Sequence, residues 1–256
     1  MKDFTYTTYR SLLQKLREAG YAFQRLEDFC EKPGKRVVIM RHDVDIWSKK
    51  ALPFARLEIE LGIQASYYFR ILYRCFEPSV VREIVSLGHE IGYHYEELTY
   101  HNGNMKKAIK SFENNLAKLR EFYPVKTICM HGRSGSPHDN RDLWKSYDIS
   151  KYDLVCEPYL NLDFNRVLYL SDTTQSWNDS NIAVRDKVES GYDFSFRTTF
   201  DIIDSVDELP DQIMFNVHPD IWAESLGEWL FLRYFVGFHS LYKKYYRNKK
   251  VKRSNQ

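Results

Sequence analysis

Asp43 and Asp45 flank a single valine in the segment Arg41-His42-Asp43-Val44-Asp45, where the apolar run Val37-Val38-Ile39-Met40 stops. Two carboxylates so placed can divide the work, one holding a cation while the other moves a proton. Similar endings recur along the chain. His94 closes Gly88-His89-Glu90-Ile91-Gly92-Tyr93-His94, His131 follows Ile128-Cys129-Met130, and His218 follows Phe215-Asn216-Val217. Imidazole ligates metals and carries protons near neutral pH. A carboxylate with two imidazoles is an open zinc set, leaving a coordination position for water. Zinc lowers the pKa of such a water to ~7 and polarises a carbonyl. Each residue also has a plainer explanation, a helix cap for Asp45 or a hydrogen-bonded structural imidazole for any one histidine. Repetition at four strand ends is what points to a site.

Those endings need strands and helices behind them. Apolar runs predict strands over Val37 to His42, Ala65 to Ile71, His89 to His94, Val125 to His131 and Gln212 to Val217, with shorter ones at Tyr152 to Tyr159 and Val167 to Ser171. A helix is predicted through the first thirty residues, with Leu12, Leu13, Leu16 and Ala19 on one face. Others are predicted over Ser48 to Leu61, with Ser48 as N-cap, and over Pro78 to Leu87. Met105, Ile109, Phe112, Leu116, Leu119 and Tyr123 mark a long amphipathic helix, and a last one runs from Ile221 into the tail. Strand and helix alternate without a linker, so one α/β domain spans residues 1–256. The strand count favours a distorted (β/α) barrel of about seven parallel strands, whose carboxyl ends would share one face.

Composition narrows the class. Hydrophobic and charged fractions of 43% and 28% fit a globular protein. No stretch approaches the ~18 apolar residues of a membrane span, and the amino-terminal segment is not a signal peptide. Four cysteines, at 30, 75, 129 and 156, lack metal-knuckle spacing and fit a cytoplasmic, reduced protein. Net charge is +2, yet residues 243–256 carry seven lysines and arginines and leave the remainder at −5. That tail could touch anionic lipid. No nucleic-acid-binding motif is present.

The motif order resembles the polysaccharide deacetylases of carbohydrate esterase family 4, the NodB-like deacetylases. Arg41-His42-Asp43-Val44-Asp45 resembles a variant of the T-F-D-D-G motif at the end of the first barrel strand. Gly88 to His94 is similar to G-H-E-I-G-x-H, Ala65-Ser66-Tyr67-Tyr68-Phe69 to A-T-F-F, and Phe215 to Pro219 to the motif carrying a late histidine. The likeness spans roughly residues 37 to 220. Met130-His131-Gly132 and Asp139 to Trp144 resemble a branch associated with lipopolysaccharide biosynthesis.

The resemblance implies a metal-dependent N-deacetylase on a NodB-like fold. Asp43 would be the base, His218 the acid, and Asp45 and His94 metal ligands. The family's H-x-x-x-H would place a further ligand four residues after His94, where this chain has Leu98. His131 is the preferred replacement, with Glu96, Glu97 and His101 as alternatives. An arginine steadying the base would be Arg41 or Arg133. Aromatic rings stack on sugars, so Trp144, Trp177 and Tyr159 are candidate substrate contacts, and Arg133 is another. Asp172, at a predicted strand end, is a candidate neighbour of the site or a turn residue. The expected substrate is an N-acetylated sugar, nucleotide- or lipid-linked, from surface polysaccharide synthesis. The alternative is a non-catalytic carbohydrate- or partner-binding protein on the same fold.

Overall fold

The computed structural model describes residues 2–133, 135–173, 175–177 and 188–234. Element order is α1 (Tyr6–Glu18), β1 (Ala22–Gln24), α2 (Leu26–Glu31), β2 (Val37–Val44), α3 (Ala51–Glu60), β3 (Ser66–Phe69), α4 (Pro78–Ser86) and β4 (Glu90–Tyr95). It continues with α5 (Glu97–Tyr100), α6 (Met105–Arg120), β5 (Ile128–Met130), α7 (Pro158–Asn161), β6 (Leu168–Ser171), α8 (Thr199–Asp204) and β7 (Gln212–Val217). The last helix among the described residues, α9, includes 226–234.

The seven strands among the described residues run parallel in one sheet, ordered β5-β4-β3-β2-β7-β6, with β1 beside β2. This is the α/β class expected. Because β7 covers one edge of β2, β1 and β3 must share the other in tandem. The sheet curls strongly. Strands β2 and β5 lie three places apart, about 14 Å in a flat sheet. Yet Nε2 of His131, just after β5, stands 3.7 Å from Oδ1 of Asp45, just after β2. Among the described residues no pairing joins β5 to β6, so the barrel is incomplete.

Strand alternation sorts side chains between two faces. Val38, Met40 and Val44 of β2 join Tyr67, Phe69, Ile91, Tyr93 and Phe215 on the convex face, under Leu12 and Leu16 of α1, Phe54 of α3 and Phe112 of α6. Val37 and Ile39 instead face a smaller interior core with Tyr68, Cys129, Tyr169 and Met214, joined by Leu26 and Phe29 of α2. Gly92 makes this interior possible: a Cβ there would lie 2.2 Å from the Tyr68 ring.

Several sequence expectations shift. The first thirty residues hold two helices and a strand, because Gly20 takes φ +83° and ends α1. Ser48 caps nothing; it is buried with its hydroxyl on Glu77, and α3 begins after Lys50. Tyr152 to Tyr159 contributes only one bridge, Cys156 to Thr127. Asp153 turns left-handed there and Pro158 starts α7. Ile221 belongs to a short 3₁₀ turn ahead of α9, and the basic tail lies outside the described residues.

Candidate active site

The site sits at the carboxyl edge of the curled sheet. Arg41 and Asp43 point inward from β2, two residues apart and so on one face. Arg41 is fully buried and grips Asp43 with two parallel hydrogen bonds, Nε to Oδ1 at 2.9 Å and Nη2 to Oδ2 at 2.5 Å. Its guanidinium also lies 5.2 Å from the centre of the Tyr159 ring, to whose hydroxyl Nη1 donates. Burial alone would push the Asp43 carboxyl up, but Arg41, with His94 and His218, brings it down to about 2.

Asp45 follows the strand. Its Oδ1 is buried without a hydrogen-bond partner among the described residues. Nε2 of His94 lies 3.3 Å from that oxygen and Nε2 of His131 3.7 Å. Burial opposes ionisation of Asp45, yet His131 and His94 hold it well below the usual carboxylate range.

Each imidazole is oriented through its other nitrogen. His94 Nδ1 lies 2.9 Å from the Cys129 carbonyl, which can only accept, so this nitrogen carries the proton and Nε2 faces the carboxylates. His131 Nδ1 lies 3.0 Å from Oε2 of Glu96. Glu96 is fixed in turn by Arg70, which also donates to the Asp45 carbonyl at 2.8 Å. A carboxylate behind a ligating histidine sets its tautomer and raises its basicity. Burial works against the Glu96 charge, and His131 and Arg70 overcome it.

His218 reaches in from the end of β7. Its Nδ1 is 2.6 Å from Oδ1 of Asp172, and its Nε2 is 4.0 Å from both Asp43 and Asp45. Asp172 also accepts from Trp222 Nε1 and from the His218 backbone. Burial disfavours the imidazolium, but Asp172, Asp45 and Asp43 push its pKa up to about 10.

The ligand atoms of Asp45, His94 and His131 all fall within 4.8 Å of one another. Ligands at ~2.0–2.1 Å from a tetrahedral zinc are spaced about 3.3–3.4 Å apart. The unsatisfied Asp45 oxygen and two directed Nε2 atoms therefore fit a divalent cation. Asp43, His94 and Cys129 form a second close set. Asp43 there is already committed to Arg41, which makes that set the poorer fit.

The other expected residues scatter. Leu98 is buried in the convex core. Glu97 turns away from Asp45, accepting from Tyr93, Asn115 and the Glu96 amide. His101 lines a cleft of about 330 Å³ that also reaches His94, Glu96 and Tyr100. Arg133 is exposed, with its guanidinium 5.7 Å from the centre of the Tyr100 ring. Trp144 is half-buried against Tyr95, Phe112 and Tyr152, and borders a surface cavity of about 340 Å³. Trp177 is a correction: it is 1% exposed among Phe4, Phe215 and Trp222, so no ring face remains for a sugar. Sequence reasoning overlooked Arg70 and the Glu58 cluster behind β2, because neither lies in a recognisable motif.

No known family model matches the sequence, and no curated protein matches it. Solved structures give distant likenesses. A Streptococcus mutans CE4 esterase is 12% identical, with TM-score 0.45 and 91% of each chain covered. A family 4 carbohydrate esterase from Bacillus anthracis is 11% identical, with TM-score 0.43, 88% of this chain and 83% of that one covered. A mutant of the Bacillus subtilis peptidoglycan deacetylase PdaC is 12% identical, with TM-score 0.42, 88% and 98% covered. At these values the likeness carries no inference about chemistry.

Proposed function

We propose that this protein is a metal-dependent hydrolase that removes an N-acetyl group from a sugar in surface polysaccharide synthesis. One observation carries the reading: the Asp45, His94 and His131 ligand atoms converge beside an ionised Asp43 and an Asp172-backed His218. Zinc suits this donor set best. Held there, the cation would supply Lewis acidity, polarising an acetamide carbonyl and making water acidic. Asp43 would receive a proton at Oδ2, the oxygen nearest His94 and His218. His218 would deliver its Nε2 proton to the leaving nitrogen, while Asp172 holds the ring by Nδ1. Arg41 would keep Asp43 in place and charged. The motif resemblance supports an N-acetylated sugar, nucleotide- or lipid-linked, with Arg133 and Trp144 as outlying contacts. Scattered cysteines support a cytoplasmic setting.

A second reading has its own observation. Both Asp43 oxygens accept from Arg41, and a carboxyl titrating near 2 is a weak base. A carbohydrate-binding protein without turnover would tolerate that. Acetate release from N-acetylated sugars and oligosaccharides by zinc-loaded protein separates the two. Turnover lost in His218→Gln supports the hydrolase; sugar binding without acetate release by the native chain supports the alternative.

A further inference from the structure

Asp45 lies one residue past the end of β2, so the strand ladder does not fix it. The loop it opens is held from two sides. From the β3–α4 connection, Arg70 Nη1 and Cys75 Sγ both donate to the Asp45 carbonyl at 2.8 Å, and the Arg74 carbonyl accepts from the Ser48 amide at 3.0 Å. From across the site, the Ile46 amide donates to Oδ2 of Asp220 at 2.9 Å and the Trp47 amide to Oδ1 at 3.0 Å. Asp220 is buried, and this loop engages both its oxygens.

Asp220 comes from the turn that follows β7. Pro219 begins that turn directly after His218, whose carbonyl accepts from the Ile221 amide at 3.1 Å. The turn is itself pinned. Gln175 Nε2 donates to the Ile221 carbonyl at 2.8 Å, Lys50 Nζ to the Trp222 carbonyl at 3.0 Å, and Trp222 Nε1 to Asp172 at 2.6 Å. One carboxylate thus joins the residue after Asp45 to the second residue after His218. Two amides on separate oxygens fix direction as well as distance, and an ionised acceptor makes the stronger hydrogen bonds.

A ligand carried on a loop keeps its geometry only as well as the groups behind it allow. His94 and His131 are each aimed through their own Nδ1, whereas the Asp45 carboxylate has only its backbone to aim it. We infer that Asp220 is a positioning residue for the cation site: anchored in the turn after His218, it holds the backbone beyond Asp45 so that the Asp45 carboxylate meets the two imidazoles. Its role rests on the proposed metal site and is exerted through the Ile46 and Trp47 amides alone, without contact with the cation.

Zinc affinity by chelator competition, scored per folded chain, tests this without any turnover. Asp220→Ala removes both acceptors and should weaken zinc binding about 10–100-fold. Asp220→Asn keeps the size and one acceptor, and should lose about tenfold; it decides the matter if the alanine variant does not fold. A residue that served stability alone would lower the melting temperature and leave zinc affinity per folded chain where it was. Hydrogen exchange on the zinc-free proteins reads the clamp directly: the Ile46 and Trp47 amides should exchange about tenfold faster in Asp220→Asn, with those of β3 unchanged. Native zinc affinity in folded Asp220→Asn, or equally slow exchange at the two amides, would overturn the inference alone. A native chain that binds no zinc would overturn it together with the metal site.

Discussion

Two carboxylate–imidazole pairs lie on opposite faces of the same sheet. On the convex face His42 Nε2 stands 2.6 Å from Oε1 of Glu58. On the concave face His218 Nδ1 stands 2.6 Å from Oδ1 of Asp172. The distances match, but the surroundings do not. Glu58 also accepts from the Tyr9 and Tyr67 hydroxyls, and the His42 ring stacks on Tyr67 with no exposure to solvent. His218 keeps Nε2 free toward Asp43 and Asp45. Pairing alone therefore does not make an imidazole chemical; what its second nitrogen faces does. Along β2 a shift of one residue decides this, since Arg41 and Asp43 point inward and His42 between them points out.

Substitutions on the two faces should separate these roles. The largest effect belongs to the concave side. Asp43→Asn should retain the cation but lower acetate release about 10²–10⁴-fold; metal content and turnover measured on one preparation check this. On the convex side, Glu58→Ala removes the partner of His42 and the acceptor that the Tyr9 and Tyr67 hydroxyls share in the core. Urea unfolding should register a loss of about 3–5 kcal/mol, with metal bound per folded chain unchanged. A Glu58 variant that kept stability but lost metal would erase the distinction. Glu96→Gln removes the charge behind His131 and should weaken metal affinity about 10–100-fold in a chelator competition, with the fold intact.

The smallest effect concerns the far end of the interior. Glu90 is buried there, accepting from the Ser66 and Thr127 hydroxyls and the Glu27 amide. Burial and the Glu27 charge push its pKa from 4.5 up to about 7. The folded protein thus holds a proton that the unfolded chain releases, so stability falls as pH rises from 4.5 to 7. The loss attributable to this group is about 1–3 kcal/mol. Thermal melts across that range should flatten in Glu90→Gln but not become level, because burial raises Glu157 to about 7 as well. An unchanged slope would show that Glu90 is not the group responsible.

Much of the fold is legible in the sequence because apolar runs and their glycine stops are local. β2, β4 and β7 lie near their expected bounds, and the parallel class follows from alternation. Short elements are not legible. The six residues of α2 look like a continuation of α1 until Gly20 is given its positive φ, and Cys156 pairs through tertiary contact alone. In the site, His131 stands out as another strand-end imidazole. Arg70 and Glu96 do not show their connection, because 26 residues and a helix separate them, and only the pairing of β3 with β4 brings their strand ends together. Trp177 misleads because the sequence does not distinguish a packed indole from a sugar platform.

Everything proposed for the site depends on His131, from the neighbouring strand, filling the ligand place that Leu98 leaves empty. Elemental analysis of metal-stripped protein reconstituted with zinc, native against His131→Ala, tests this without recourse to turnover. About one zinc per native chain is expected, with loss of stoichiometric zinc from a folded His131→Ala protein. A native chain that binds no zinc, or a His131→Ala chain that binds it undiminished, would contradict the assignment.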